Sequence, residues 1–210
     1  MRPYLIDLLT PSDELIDEYI IKFNKDERYY LADISITKLF DKFPDNKQLE
    51  DILLKISVIN DLYSTNIFAT FLMAKHIQSL QIDENLKHSE SGLVNRIATG
   101  HGIKKSKTIG DRNFYSFATK YCSWHNRDNY PIFDEFVEKI LKGYREKDGF
   151  SKFKNSDLRS YEKFKKIISD FKAFYNLNRH GLKQIDKFLW IYGKEKFPKK
   201  YTVKPVDTLL

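Results

Sequence analysis

Apolar residues recur every three or four positions along most of the chain, which is the spacing of one face of an α-helix. The first such run follows residues 10–11, where Thr can cap a helix and Pro suits its first turn. Its apolar members are Leu15, Ile16, Tyr19, Ile20 and Phe23. Further helices are predicted over residues 26–43, 47–61, 67–80, 93–98, 113–123, 134–144, 156–175 and 182–197. The pattern predicts an all-α fold, a compact bundle of about eight to nine helices with no significant sheet.

The segment 67–80 is apolar on all sides, which predicts a helix at the centre of the bundle. A chain of 210 residues suits one compact domain. We expect residues 1–45 to form N-terminal helices that pack on a core of residues 46–197. Residues 198–210 are predicted to be an extended tail.

Charge is divided unevenly along the chain. Residues 1–100 hold 11 Lys and Arg against 16 Asp and Glu, whereas residues 101–210 hold 25 against 13. A basic half of this kind indicates a surface for a polyanion such as nucleic acid. The alternative is a lysine-rich surface without a binding function.

Cysteine usage and hydropathy suggest where the protein works. Cys122 is the only cysteine, so no intrachain disulfide can form. No apolar run approaches the ~20 residues needed to span a bilayer, and the first residues lack the apolar core of a signal peptide. The sequence therefore favours a cytoplasmic protein with no membrane partner, and leaves its oligomeric state open.

The richest segment for chemistry is 116–137, where ionisable side chains alternate with aromatic rings. Its ionisable side chains include Lys120, Cys122, His125, Asp128 and Asp134. Asp134 begins a predicted helix, where free N–H groups and the helix dipole favour an ionised carboxylate. Such a carboxylate can stabilise a developing cation or orient a water molecule. The alternative is simple helix capping, for which Asp is a preferred residue.

A glycine-bearing loop at residues 99–112 is the second candidate site. Its glycines allow backbone amides to approach a phosphate, and its lysines supply positive charge. The residues predicted to contact a nucleic-acid backbone are Gly100, Gly102, Lys104, Lys105 and Lys107. An ordinary surface loop is the competing interpretation.

Metal and cofactor chemistry find little support in the sequence. The histidines are His76, His88, His101, His125 and His180, and no two lie four residues apart on one helix face. There is also no Cys/His cluster and no phosphate-binding loop of the GxxxxGK[ST] type. No metal and no cofactor are therefore predicted.

Residues 45–195 resemble the helix-hairpin-helix superfamily of DNA base-excision glycosylases, in its uncharacterised bacterial branch. The similarity begins with the apolar pair 51–77 and its polar corner, continues through the loop 100–112 and the next helix, and ends with Pro131 shortly before Asp134. The closing segment LKQIDKFLWIYGKE is also similar to that branch. Two features depart from the family: Gly100 and Gly102 lie too early for its hairpin, and its lyase lysine corresponds to Tyr115 here.

The resemblance implies an all-α glycosylase-like fold that binds double-stranded DNA and hydrolyses the N-glycosidic bond of a damaged base. Asp134 would be the catalytic carboxylate, and Lys120 would be either an amine nucleophile or the ion-pair partner of Asp134. Residues implied to hold the extruded base are Asn60, Tyr63, Thr65, Asn66, Trp124, His125 and Trp190. For Trp190, a place in the apolar core is the competing interpretation.

Two other functions stay open at this point. The chain could be a non-catalytic helical nucleic-acid-binding protein, such as a regulator or a phage-defence component. It could also be an interaction protein whose basic half meets an acidic partner. Convergence of Asp134, Lys120 and the corner 60–66 on one pocket would favour an enzyme.

Overall fold

The fold is given by a computed structural model that describes residues 7–100, 103–106, 109–111 and 113–198. The first six helices of the described chain are α1 (Asp13–Lys25), α2 (Glu27–Lys42), α3 (Leu49–Leu62), α4 (Thr70–Leu80), α5 (Asp83–Lys87) and α6 (Gly92–Thr99). After a short ribbon come α7 (Tyr115–His125), α8 (Glu135–Asp148), a 3-10 helix (Asn155–Arg159), α9 (Tyr161–Phe174) and α10 (Leu182–Lys196). The prediction of an all-α fold is confirmed.

The ribbon lies within the segment that the sequence predicts as a loop. Strand β1 (Lys104–Ser106) pairs antiparallel with β2 (Ile109–Asp111), and Ser106 lies opposite Ile109. Strands of three residues are too short to show an alternating pattern in the sequence. They leave the fold class unchanged, because every other regular element among the described residues is helical.

Local capping decides where several helices begin. The Ser12 hydroxyl accepts a hydrogen bond from the Leu15 amide, so α1 starts after Ser12 rather than at residues 10–11. Asp45 does not cap α3, which begins after Gln48. The predicted helix 156–175 is divided, because Ser160 has an extended backbone between the 3-10 helix and α9. Of the predicted tail, all but Pro198 lies outside the described residues.

The prediction that α4 lies at the centre of the bundle is wrong. One face of α4 is buried, through Met73 and Ile77. Its other face is open to solvent, with Phe71 49% and Leu72 51% exposed. A helix that is apolar on all sides can therefore leave one apolar face without a partner, and the sequence pattern does not reveal which face is buried.

The central helix is α7 instead. Every residue from Phe117 to Trp124 is buried, including polar side chains. The Thr119 hydroxyl accepts from the Phe133 amide at 3.1 Å and donates to the Ser116 carbonyl at 3.0 Å. Polar groups can occupy a core position when such hydrogen bonds replace those to water. Helix α7 packs against α2, α3 and α6, which fixes the position of Lys120.

Helices α8 and α10 approach each other closely at Gly193. A Cβ atom at this position would lie 2.8 Å from the Phe136 carbonyl oxygen and 2.9 Å from Ile140 Cγ1. Because the nearest atom belongs to the backbone, relieving this contact would require a shift of α8. This contact holds the first turn of α8 against α10.

We expect Gly193→Ala to lower the free energy of unfolding by up to about 2 kcal/mol. Overpacking costs about 1–3 kcal/mol, and the better helix propensity of Ala returns about 1 kcal/mol. Denaturant unfolding measures the difference. Gly92→Ala is the control, because its nearest contact would be an ordinary 3.6 Å to Glu90 Oε1. Equal stability of the two variants would contradict close packing of α8 on α10.

Among the described residues, no helix is both long and apolar enough to cross a bilayer.

Candidate active site

A cavity of about 260 Å³ opens between the helices, and side chains from both halves of the chain line it. The N-terminal half contributes Phe23, Tyr29, Asp33 and Tyr63. The later half contributes Lys120, Asp134, Lys183, Asp186, Lys187, Trp190 and Lys194. The cavity therefore combines aromatic walls with four lysine and three aspartate side chains.

Lys120 lies in the cavity wall with a side chain that is only 3% exposed. Its Nζ donates to Ser116 Oγ at 2.6 Å and lies 3.5 Å from Asp134 Oδ2. The Tyr63 ring centroid is 5.4 Å away. Burial lowers the pKa of Lys120 below its ordinary value, although the charge of Asp134 opposes this shift. A buried amine of lowered pKa has a larger neutral, nucleophilic fraction than an exposed lysine.

Asp134 uses its two carboxylate oxygens for two purposes. Oδ1 accepts a hydrogen bond from the Phe136 amide at 2.9 Å, and this caps the N-terminus of α8. Oδ2 faces Lys120. Asp134 can therefore cap α8 and contribute to the cavity at the same time, so the two interpretations of this residue are compatible.

Asp186 is a third ionisable group in the wall, and no pattern in the sequence marked it as a site residue. It is 5% exposed. Its Oδ2 accepts from the Ile132 amide at 3.1 Å, while Oδ1 has no hydrogen-bond partner among the described residues. Burial raises the pKa of Asp186 to about 7, against the opposing effects of the Ile132 amide, Lys183 and Lys120. This carboxyl group can therefore hold a proton near neutral pH.

A cluster of charges at one side of the cavity joins α2 to α10. Lys183 Nζ lies 2.9 Å from Asp33 Oδ1, and Lys187 Nζ lies 3.0 Å from Asp33 Oδ2. Burial lowers the pKa of Lys183 to about 8, and Asp33 opposes that shift. The pKa of Asp33 is lowered, because the two lysines outweigh the effect of its burial.

The aromatic wall consists of rings in edge contact. The Trp190 ring meets the Tyr29 ring at 5.0 Å and the Phe23 ring at 6.3 Å. Tyr63 enters the cavity from the other side, and its hydroxyl accepts from Trp124 Nε1 at 3.2 Å. Trp190 thus lines the cavity as well as packing on the core, and Trp124 supports Tyr63 from behind.

The rest of the predicted base-binding corner lies elsewhere. Asn60 Oδ1 accepts from Thr65 Oγ1 and from the Ile67 amide, both at 2.8 Å, so Asn60 holds the corner closed. Asn60 and Asn66 line a separate shallow depression that includes Phe68. Of the four corner residues predicted to bind a base, Tyr63 is the one that reaches the cavity.

His125 belongs to a buried network on a different side of α7. Its Nε2 lies 3.4 Å from Lys55 Nζ, which donates to the carbonyl oxygens of Phe43 and Asp45. Burial and the neighbouring Lys55 charge hold the pKa of His125 well below its ordinary value. The structure thus places a neutral histidine beside a lysine that fastens the 43–45 turn.

The residues predicted to contact a nucleic-acid backbone are only partly described. Gly100 ends α6 with φ of +57°, and a Cβ there would lie 2.9 Å from the Phe114 ring. Helix termination therefore accounts for this glycine. Lys104 and Lys105 contribute backbone to β1, but their side chains lie outside the described residues, as do Gly102 and Lys107 entirely.

A sequence signal for part of the cavity lies on α10, where Trp190 is the one residue predicted to belong to the site. On α10 the cavity residues follow helical spacing and share one face: Lys183, Lys187, Trp190 and Lys194. Asp33 carried no comparable signal, because its partners lie about 150 residues further along the chain. Within the described ranges, no group of three or more His, Cys, Asp or Glu side chains is arranged to hold a metal ion.

The fold and cavity define an all-α protein with a lysine–carboxylate site. The chain belongs to the family HI_0787_N, N-terminal domain, whose model matches residues 15–129, more than half of the sequence. It is also 42% identical over 158 residues to an uncharacterized protein of Haemophilus influenzae. The aligned region covers 74% of this chain and 72% of that protein. No solved structure matches the chain at a significant level. Neither match names an activity, so the resemblance to DNA glycosylases stays a prediction.

Proposed function

We propose that the chain is a DNA-acting enzyme whose cavity receives a single extruded base and whose Lys120 and Asp134 act at the N-glycosidic bond. The observation that carries this proposal is the pair formed by buried Lys120 and partly exposed Asp134, 3.5 Å apart in the wall of an aromatic cavity. An amine and a carboxylate at this separation inside a cavity can act on one bound atom. On an exposed helix surface the same pair would indicate only a weak ion pair.

The size and lining of the cavity support a base as the ligand. A volume of about 260 Å³ is slightly below the ~300–1,000 Å³ of pockets for drug-sized molecules. Tyr63 and Trp190 offer ring surfaces, and stacking contributes ~1–3 kcal/mol per base. That energy offsets part of the few kcal/mol needed to extrude a base from the duplex.

The chemistry assigned to each group follows from its surroundings. Asp134 stabilises positive charge that develops on the sugar as the bond to the base lengthens. Lys120 supplies an amine whose lone pair can bond to the sugar carbon while the departing base takes the electron pair of the broken bond. The base then needs a proton, and Asp186 is a carboxyl group in the same wall that holds one near neutral pH.

The direct test is release of bases from duplexes that each carry one damaged base. We expect Asp134→Asn to slow release by about 10²–10⁴-fold, because the charge facing Lys120 is lost. Asn caps helices as well as Asp does, so the variant should keep its melting temperature. Chromatography of the released base and thermal unfolding measure the two effects.

Asp128→Asn is the matched control, since Asp128 is an exposed carboxylate in the same segment. It should release bases at the unmodified rate. No release from any lesion, together with salt-sensitive binding of undamaged DNA, would overturn the enzymatic proposal and favour the non-catalytic alternative.

A further inference from the structure

Three lysines of α10 lie along one side of the cavity, and their charges are only partly neutralised. Lys183 and Lys187 share the single carboxylate of Asp33. Lys194 lies over the Tyr29 and Trp190 rings, and within the part of the chain that the structure describes it forms no ion pair with a carboxylate. In the described part of the chain, Asp33 is thus the one carboxylate that forms ion pairs with these three lysines.

The position of Asp33 resembles that of a bound anion. Each of its two oxygens meets a different ammonium group, at 2.9 and 3.0 Å. A phosphate presents pairs of oxygens with similar spacing and carries equal or greater charge. The Lys183 ammonium also lies 3.6 Å from the Trp124 ring centroid, so the protein holds it in place independently of Asp33.

Lys183 and Lys187 are partly desolvated, which strengthens their electrostatic attraction for an anion. Their side chains are 22% and 16% exposed, so water screens them less than it screens surface lysines. Both line the same cavity as Lys120 and Asp134. An anionic group attached to a ligand in the cavity would meet them at the edge of the site.

We propose that Lys183 and Lys187 form a phosphate-binding subsite, which the Asp33 carboxylate occupies in the ligand-free protein. The assignment of that phosphate to a nucleotide in DNA rests on the proposed function. The same chemistry would accept the phosphate of a free nucleotide. In either case the incoming phosphate takes over the two ammonium groups from Asp33.

The test uses inorganic phosphate as the probe and a gain of binding as the readout. Asp33→Asn frees both ammonium groups, so we expect the affinity for phosphate to rise about tenfold or more. Lys187→Met should weaken it. Isothermal titration calorimetry on the full chain gives the dissociation constants. Asp170→Asn is the control, because it breaks an Asp–Lys pair on α9 that does not line the cavity.

Two ligands distinguish the sources of the phosphate. A nucleoside monophosphate and a short duplex with an abasic analogue are each titrated into the unmodified chain and Asp33→Asn. Tighter binding of the duplex alone assigns the subsite to DNA, and tighter binding of the mononucleotide alone assigns it to a free nucleotide.

The proposal fails if Asp33→Asn is folded and binds phosphate no better than Asp170→Asn does. If Asp33→Asn does not fold, the decision falls to Lys187→Met, and unchanged phosphate affinity in that variant overturns the subsite. These binding measurements do not depend on whether the chain releases a base. If phosphate affinity follows the variants while no base is released from any lesion, the subsite stands and the proposed reaction falls.

Discussion

Replacement of Lys120 by arginine is expected to abolish a covalent complex with DNA that borohydride would otherwise trap. A neutral amine condenses with the aldehyde of an abasic site, and reduction makes the bond permanent. Burial lowers the pKa of Lys120, which favours the neutral amine. Arginine keeps a positive charge beside Asp134 but stays protonated at any accessible pH, so it cannot form the bond.

The measurement is the fraction of labelled abasic-site duplex that migrates with the protein under denaturing conditions after reduction. We expect Lys120→Arg to reduce this fraction to background and to slow base release by about 10²–10⁴-fold. Lys142→Arg is the matched control: Lys142 is also buried and paired with a carboxylate, but it lies on α8 and does not line the cavity. It should trap normally.

The outcome separates the two roles that the sequence left open for Lys120. An unchanged adduct in Lys120→Arg would show that the amine is supplied elsewhere. Base release without any adduct in the unmodified chain would make Lys120 the ion-pair partner of Asp134. In that case water attacks the sugar, and Asp134 orients the water and stabilises the developing positive charge.

The helical content of the fold could be predicted from the sequence, because the apolar spacing that buries one helix face is local. The helix boundaries were less predictable. Thr10 and Ser12 are both capping residues, and the hydrogen bond from the Leu15 amide to Ser12 is what decides between them. Competition between nearby caps of similar energy does not appear in a hydrophobic pattern.

The order of burial could not be predicted, because it depends on partners. Helices α4 and α7 are similar in apolar content, but α4 leaves Phe71 and Leu72 exposed. Helix α7 carries Lys120 and Thr119 into the core, since the 3.1 Å bond from the Phe133 amide and the contacts of Lys120 satisfy them. A polar residue can be buried when another element supplies its hydrogen-bond partner, and the local sequence does not show that partner.

Some residues of the candidate site could be predicted from the sequence and others could not. Lys120 and Asp134 could be identified because they share one short segment whose mixture of charges and rings is unusual. Tyr63 and Trp190 followed from the family resemblance. Asp33 could not be identified, because an isolated acidic residue on an amphipathic helix has no distinguishing pattern. Its significance appears only when α2 and α10 are brought together.

The raised pKa of Asp186 predicts an unusual dependence of the free energy of unfolding on pH. Its carboxyl pKa is about 7 in the folded chain and about 3.9 in an unfolded one. Between these values the folded state binds more protons, so this group's contribution to stability is full below about pH 4 and is lost as the pH rises through 7. Above pH 7 the fold carries a buried carboxylate whose Oδ1 has no hydrogen-bond partner in the described part of the chain.

We therefore expect Asp186→Asn to be more stable than the unmodified chain at pH 8, by about 2–4 kcal/mol, and similar to it at pH 4. Asn keeps an acceptor for the Ile132 amide but cannot become charged. Urea unfolding across the pH range measures the difference. Asp33→Asn is a control of opposite sign: the pKa of Asp33 is lowered, so its stabilising effect is present above the unfolded pKa and is lost in acid.

A difference between Asp186→Asn and the unmodified chain that does not change with pH would show that folding leaves the pKa of Asp186 near its unfolded value, so that the group is ionised at neutral pH. It would then have no proton to give to a departing base. A gain in stability that grows from pH 4 to pH 8 would mean that the fold tolerates an unfavourable carboxylate beside Lys120 and Lys183. Groups that destabilise a fold in this way are characteristic of sites arranged for chemistry. Loss of base release in the same stabilised variant would then place Asp186 in the reaction rather than in the framework of the fold.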